Sequence, residues 1–182
     1  MLMSGYISFN NIVSNQSGML FASGSYPSFG VWKSTNNGLN WDMTDTNFSA
    51  SVYSLCVTAN GNLFAGTAGG GVYRSTNNGS TWLQAQPYAS VVSLTAAPNG
   101  YVYGCFNSVS GGQNGIYRST NYGVNWSIIG LANTDYFFLK SNSAGHIFAG
   151  GFYGSGILRS TNNGVNWYEI SSGIFNRMIT TI

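Results

Sequence analysis

The stretch Ser75–Trp82, with the sequence STNNGSTW, is one of four copies of a single string in this chain. The same frame, Ser-Thr-Asn-Asn-Gly-x-x-Trp, begins at Ser34 and at Ser160, and a near copy with Tyr in place of the second Asn begins at Ser119. The copies start 41, 44 and 41 residues apart along a chain of 182 residues. A nearly constant period of about 40 residues indicates repeated supersecondary units that stack side by side.

The residues around each string repeat as well. A Gly-aliphatic-(aromatic or Leu)-basic tetrad precedes every copy, a turn glycine lies further upstream, and a run rich in β-formers comes before that glycine. Each unit therefore predicts strand, turn, strand, loop, strand, string, strand. Four strands in about 42 residues are typical of one β-propeller blade, so the sequence predicts an all-β propeller fold with four such blades. The tetrads are Gly30–Lys33, Gly71–Arg74, Gly115–Arg118 and Gly156–Arg159.

The repeat also sets the expected boundaries of the units. The predicted blades span residues 5–45, 51–86, 90–130 and 134–171, within one propeller or part-propeller domain. Residues 174–182 repeat the spacing of the first strand and predict one extra C-terminal strand. Inside the blades, the pairs at 60–61 and 99–100 are Asn-Gly and predict two-residue type I′ hairpins, in which both central residues have positive φ.

The repeated string predicts a turn that satisfies its own backbone. The Ser hydroxyl and the first Asn side chain can accept hydrogen bonds from N–H groups of the turn. The Gly can adopt positive φ at little steric cost, and the Trp can cover the hairpin with an apolar ring. The residues with these predicted structural roles are Ser34, Asn36, Gly38, Trp41, Ser75, Asn77, Gly79, Trp82, Ser119, Asn121, Gly123, Trp126, Ser160, Asn162, Gly164 and Trp167.

The pattern Ser-x-Asn-x-Gly-x-x-Trp resembles the Asp-box, also called the bacterial neuraminidase repeat, and the resemblance covers nearly the whole chain. It implies a sialidase-like β-propeller with one box between the third and fourth strands of each blade. All four copies have Asn where that family usually has Asp, which keeps the acceptor oxygen and removes the charge. The family includes sialidases, other glycosidases, sorting-receptor ectodomains and photosystem assembly factors, so the resemblance predicts a scaffold and leaves the reaction open.

Charged residues are scarce, at 5% of the chain, with six Lys and Arg against four Asp and Glu. This balance excludes nucleic-acid binding through a basic face. The single histidine, His146, leaves no ligand set for zinc, and we expect neither a metal nor a cofactor. Cys56 and Cys105 are predicted to be buried thiols in strands, with a disulfide between them as the alternative.

The titratable residues do not form a recognisable catalytic set. Arg74, Arg118 and Arg159, with Lys33 as the fourth equivalent, each precede a box, so blade symmetry separates them. We expect their stems to pack along the blade with the charged ends in water. A glycosidase needs two carboxylates at a set separation, and we expect no enzyme activity of that type. The carboxylates all fall just after a box or in a link between blades: Asp42, Asp45, Asp135 and Glu169.

Ligand-binding residues are expected in the loops that depart from repeat symmetry. Aromatic faces beside Asn and Ser suit a neutral sugar, but the same rings could instead pack between blades. The sequence therefore favours a non-catalytic binding or interaction scaffold for a protein or glycan, and the alternatives are a sugar-binding lectin and a sialidase-like glycosidase. The aromatic residues of these loops are Tyr26, Phe29, Tyr88, Phe152 and Tyr153, together with Phe48.

Location and assembly are expected from composition and repeat number. A chain poor in Lys and Glu and rich in Asn, Ser and Tyr is typical of secreted or cell-surface proteins, although its first residues lack the features of a signal peptide. No apolar run is long enough to span a membrane. Four blades are few for a propeller, so we expect a homo-oligomer in which two chains form an eight-bladed ring. The alternatives are a piece of a longer propeller and a four-bladed monomer.

Overall fold

The fold is described by a computed structural model that covers residues 8–25, 29–45, 48–87, 89–108, 114–131, 136–151 and 156–173. These ranges contain sixteen β-strands in four antiparallel sheets, and each sheet is built from four consecutive strands. Within the same ranges, no helix has the length and apolar character that a membrane crossing requires.

The strands of each sheet follow chain order. Sheet 1 consists of β1 (Phe9–Ser14), β2 (Leu20–Gly24), β3 (Gly30–Ser34) and β4 (Asp42–Asp45). Sheet 2 consists of β5 (Val52–Val57), β6 (Leu63–Thr67), β7 (Gly71–Ser75) and β8 (Leu83–Gln86). Sheet 3 consists of β9 (Ala89–Ala96), β10 (Val102–Ser108), β11 (Gly115–Ser119) and β12 (Ser127–Ile128). Sheet 4 consists of β13 (Tyr136–Ser141), β14 (Ile147–Gly151), β15 (Ile157–Ser160) and β16 (Tyr168–Glu169).

The four sheets are arranged as consecutive blades of a β-propeller. Each sheet is a meander, so its first strand forms one edge and its fourth strand forms the other. The first strands of consecutive sheets lie beside one another, β1 against β5, β5 against β9 and β9 against β13. The prediction of four-stranded all-β blades is therefore confirmed. The predicted extra strand at 174–182 lies outside the described residues.

The hairpins between first and second strands differ from the type I′ prediction. Gly61 has a φ of +84°, whereas Asn60 is not among the residues with positive φ. Thr58 N donates to Asn62 O, so the loop between them has three residues instead of two. In such a loop only one position is left-handed, and the glycine occupies it. The pair at 99–100 in sheet 3 repeats this geometry.

Each sheet has a front face towards the next sheet and a back face towards the preceding one. The front face carries an aromatic side chain from the second strand and an aliphatic one from the third. In sheet 2 these are Phe64 and Val72, both 0% exposed, and they pack with Leu94 and Trp126 from the back face of sheet 3. Because successive side chains along a strand point to opposite faces, each strand contributes alternate residues to the front and the back face. The front-face pairs of the other sheets are Phe21 and Val31, Tyr103 and Ile116, and Phe148 and Ile157.

The two cysteines belong to these cores. Cys56 and Cys105 are free thiols and are buried, as predicted. Cys56 packs between sheets 2 and 3, and Cys105 packs between sheets 3 and 4. Burial raises the pKa of both thiols well above the usual range, so both stay neutral and behave as small apolar side chains.

Candidate functional site

The first strands of all four sheets line one cavity, which we call the axial cavity. It has a volume of about 670 Å³ and is lined by residues 10–14 of β1, 53–57 of β5, 92–96 of β9 and 138–141 of β13. Ligand sites in proteins are concave and of this size. A site shared by several blades uses the scaffold as a whole, so this cavity is the candidate binding site.

The axial cavity is polar and carries little charge. Asn10, Asn11 and several hydroxyl side chains contribute to its lining. Among the described lining residues, Lys140 is the only one with a charged side chain, and it is exposed. Tyr53, which is 40% exposed, adds an aromatic ring. These groups can hydrogen-bond a neutral polar ligand and can pair one cation with an anionic group.

Part of the polar lining links the sheets to one another. Each first strand has an unpaired edge, and its backbone N–H groups need acceptors. Leu94 N donates to Ser54 Oγ at 2.8 Å, and Leu139 N donates to Ser93 Oγ at 3.0 Å. Asn11 Oδ1 provides the same link from sheet 1 to sheet 2. This role was not predicted from the sequence, although its signal is a polar residue directly before Ile12, Leu55 and Leu94 in the first strands.

The four boxes share one set of internal hydrogen bonds. In sheet 3, Ser119 Oγ accepts from Gly123 N at 2.8 Å, and Asn121 Oδ1 accepts from Asn125 N at 2.9 Å. Trp126 Nε1 donates to Gly123 O at 3.2 Å. The Ser and Asn bonds recur in the boxes that begin at Ser34, Ser75 and Ser160.

The boxes of sheets 2 to 4 also contact the preceding sheet. A Cβ on Gly79 would lie 3.2 Å from Thr44 Cγ2, and one on Gly123 would overlap the Phe64 ring. Trp82 Nε1 donates to Thr44 Oγ1 at 3.3 Å instead of to its own turn. In these boxes glycine is therefore required for two reasons: its φ is positive, and a neighbouring sheet approaches too closely for a side chain.

Arg118, the basic residue before the box of sheet 3, does not match the expectation of a charged end in water. Arg118 Nη1 donates to Asn163 O in the box of sheet 4 at 2.7 Å, and its guanidinium lies 5.7 Å from the centre of the Tyr101 ring. The Nε atoms of Arg74, Arg118 and Arg159 are buried and have no hydrogen-bond partner among the described residues. Arg118 joins two sheets because its planar fork reaches a turn carbonyl across the interface.

The predicted ligand-binding aromatics are only partly described. Phe29 is half-buried and packs against the core between sheets 1 and 2, so the structure places it in packing and not at the axial cavity. Phe48 is 5% exposed and lies 5.0 Å from Tyr73 and 5.4 Å from Trp82 between ring centres. The remaining candidates, Tyr26, Tyr88, Phe152 and Tyr153, lie outside the described residues.

The described carboxylates stand away from the axial cavity. Asp42 lies in β4 and Glu169 in β16, which are the fourth strands of sheets 1 and 4. Glu169 Oε1 accepts from Ser171 Oγ at 2.5 Å. In the described ranges, no three residues among His, Cys, Asp and Glu come together in a way that could hold a metal ion. Asp135 and the side chain of Asp45 lie outside the description.

No protein family matches this sequence, and no curated protein is similar to it. Solved structures match it by fold. An ancestral GH74 enzyme has a TM-score of 0.68 at 22% identity over 89% of this chain. A YCF48 protein bound to a D1 peptide has a TM-score of 0.69 at 16% identity over 92% of it. The Hadza microbial sialidase Hz136 has a TM-score of 0.66 at 14% identity over 92% of it.

This chain covers 24% of the GH74 chain, 56% of the YCF48 chain and 46% of the sialidase chain. At such identities the likeness concerns the fold, which is that of the β-propellers. The three structures include enzymes and a peptide-bound protein, so the fold alone does not select a function.

Proposed function

We propose that the chain is a non-catalytic Asp-box propeller scaffold that binds an extended polypeptide segment in its axial cavity. The observation that carries this proposal is the cavity itself, a polar hollow of about 670 Å³ bounded by the inner edges of four first strands, on which the N–H groups of Leu55, Leu94 and Leu139 are already bonded between sheets. Strand edges bind extended peptides through backbone hydrogen bonds, while nearby side chains select the sequence. The YCF48 structure, which holds a D1 peptide, gives support by analogy of fold.

The chemistry of the lining supports binding over hydrolysis. A retaining or inverting glycosidase places two carboxylates about 5–10 Å apart at the sugar. The described lining offers Lys140, Tyr53 and neutral amides and hydroxyls, while Asp42 and Glu169 lie on fourth strands. Lys140 favours a peptide with an acidic side chain or a free carboxylate, since it can form a charge-assisted hydrogen bond there.

A neutral glycan is the second candidate ligand. Tyr53 presents an exposed ring among hydroxyl and amide groups, which is the combination that stacks on a sugar and hydrogen-bonds it. The GH74 enzyme and the sialidase among the structural matches make this alternative worth testing. A glycan would depend on Tyr53 more than on Lys140, whereas an acidic peptide would depend on both.

Peptide binding, glycan binding and glycoside hydrolysis can be distinguished by parallel screens. These are a peptide array, a glycan array and a panel of chromogenic glycosides. We expect peptide binding that is lost in Tyr53→Ala and Lys140→Gln. Leu39→Ser is the matched control, because Leu39 is 82% exposed on the box of sheet 1. Glycan binding lost only in Tyr53→Ala would replace the peptide with a sugar. Glycoside hydrolysis lost in Asp42→Asn or Glu169→Gln would overturn the non-catalytic proposal.

A further inference from the structure

The back face of sheet 1 is an exposed apolar surface. It forms a hollow of about 750 Å³ that no described residue fills. Phe9 is 52% exposed and Ile12 is 60% exposed. Apolar patches of this kind on a soluble protein mark interaction sites. The apolar residues that line the hollow are Phe9, Ile12, Ala22, Trp32 and Trp41.

The position of Ile12 is buried in the other three sheets. Leu55, Leu94 and Leu139 stand where Ile12 stands, and they are 2%, 5% and 4% exposed. At the position of Trp41, Trp82 is 8% exposed, whereas Trp126 and Trp167 are half-buried like Trp41 itself. In each case the cover is the front face of the preceding sheet. The back face of sheet 1 therefore has the composition of an interface between blades.

The box of sheet 1 is shaped for the same contact. In sheets 2 to 4 the box glycine is buried, and a Cβ there would meet an atom of the preceding sheet within 3.2 Å. A Cβ on Gly38 would find only Leu20 and Trp41 of its own sheet, at 3.8 Å. Phe21 lies beside the box glycine of sheet 2, and Phe64 lies beside that of sheet 3. No residue of another described sheet occupies the equivalent space beside Gly38.

The front face of sheet 4 carries the complementary surface. Phe148 and Ile157 stand at the positions of the fully buried front-face pairs, yet both are only half-buried. Arg159 stands at the position of Arg118, which donates to the box of the next sheet. Asn142 stands at the position of Asn15, whose Nδ2 donates to a box residue of sheet 2 at 3.2 Å.

We propose that a second copy of this chain docks head to tail, with the front face of its sheet 4 on the back face of sheet 1. Phe148 of that copy fills the hollow beside Gly38, and its Arg159 donates to Asn37 O, as Arg118 does to Asn163 O. The contact continues the interface that already occurs three times within the chain. It is heterologous, and two copies related by a two-fold axis form two such contacts and close a ring of eight blades.

One inter-sheet link is absent from the proposed contact. Phe138 stands where Asn11, Ser54 and Ser93 accept a hydrogen bond from the next first strand. A phenyl ring has no acceptor, so the contact between copies depends on the apolar faces and on Arg159. This makes it more sensitive to single charged substitutions than the internal interfaces.

Light scattering on the full chain at about 50 µM tests the proposal. We expect twice the chain mass of 19.4 kDa for the wild type, and 19.4 kDa for Ile12→Asp and for Phe148→Asp. A buried, unpaired carboxylate should weaken association at least about 100-fold. Val165→Asp is the matched control, since Val165 is 68% exposed on the box of sheet 4 and outside the contact, and it should keep the doubled mass.

Mixing the two variants distinguishes a head-to-tail contact from any other dimer. A mixture of Ile12→Asp and Phe148→Asp retains one unaltered contact, so it should recover a species of doubled mass that neither variant forms alone. Should Phe148→Asp fail to fold, Arg159→Glu replaces it, with thermal melting as the check on folding. A wild-type mass of 19.4 kDa overturns the proposal, and so does a doubled mass that Ile12→Asp leaves unchanged.

Discussion

The boxes of sheets 1 and 3 have the same internal structure in different surroundings. In both, the Ser Oγ accepts from the glycine N–H, at 2.9 Å in sheet 1 and 2.8 Å in sheet 3, and the Trp indole donates to the glycine carbonyl. The glycine φ is +84° for Gly38 and +83° for Gly123. Gly123, however, is buried against Phe64, whereas Gly38 has no neighbour from another described sheet.

This comparison separates two roles of one motif. The turn geometry is local, because it is the same with and without a neighbouring sheet. The packing role is acquired only when a preceding blade covers the turn. The box therefore contributes to folding twice, first as a self-satisfied hairpin and then as the surface that the preceding blade contacts.

The largest effect is expected from a matched pair of glycine substitutions. Gly38→Ala and Gly123→Ala meet the same backbone strain, about 1 kcal/mol, because both positions have positive φ. Gly123→Ala must also displace the fully buried Phe64 ring, and overpacking of this kind costs about 1–3 kcal/mol more. Denaturant unfolding should therefore rank Gly123→Ala as clearly less stable.

The pair is best measured in the Ile12→Asp background, where a docked second copy cannot cover Gly38. Equal losses of unfolding free energy in the two variants would show that the turn strain alone decides the cost. That result would contradict the conclusion that packing of the preceding blade against the box contributes to stability.

The sequence predicted the blades well because their signals are local. The box, the turn glycines and the alternating strands each follow from residues within about ten positions, and the structure places sixteen strands accordingly. The type I′ error is also local: Asn-Gly at 60–61 lies in a three-residue loop. The consecutive positive-φ pair occurs in the boxes instead, where Asn37 and Gly38 have φ values of 56° and 84°.

The contacts between sheets could not be predicted, because they join residues about 40 positions apart. Arg118 reaches Asn163, and Ser54 accepts from Leu94 N, only after two sheets have been stacked. Neither a basic residue before a box nor a serine in a strand identifies its partner. Phe29 shows the same limit, because the sequence left open whether its ring binds a ligand or packs between blades, and in the structure the ring packs against the core between sheets 1 and 2.

A second prediction compares a covered front face with an open one. Tyr103 on sheet 3 is fully buried under sheet 4, and this burial raises its pKa to about 12, against a small opposing effect of Arg118. The folded state therefore favours the neutral phenol. The resulting stability is complete below about pH 10 and is lost as the pH rises from 10 to 12, by at most about 2–3 kcal/mol before solvent screening is allowed for.

Urea unfolding at several alkaline pH values, with Tyr103→Phe as the reference, measures this loss. The difference in stability between the wild type and Tyr103→Phe should shrink or reverse across this window. The buried thiols of Cys56 and Cys105 also lose stability at alkaline pH, but they do so in both proteins and cancel. A difference that is constant from pH 9 to 12 would contradict the burial of Tyr103 between sheets.

The smallest effect is expected at the third box position, where this chain has Asn and the Asp-box pattern has Asp. Asn36 Oδ1 accepts from Asn40 N at 2.9 Å and from Ser34 Oγ at 3.0 Å, and Asn121 Oδ1 makes the equivalent bonds in sheet 3. An Asp keeps both acceptor roles and makes them charge-assisted, while solvent near these turns screens the added charge. Asn36→Asp and Asn121→Asp should each change the free energy of unfolding by no more than about 0.5 kcal/mol at pH 7, with any gain lost below about pH 4 as the carboxylate is protonated.

Chemical denaturation of both variants checks this. Because the two turns share their internal bonds, the values should agree with each other even though, within one chain, only the box of sheet 3 is covered by a preceding sheet. A loss above about 1 kcal/mol in Asn121→Asp alone would mean that the preceding sheet senses the charge, and that the hydrogen bonds of the box are not as local as the comparison implies.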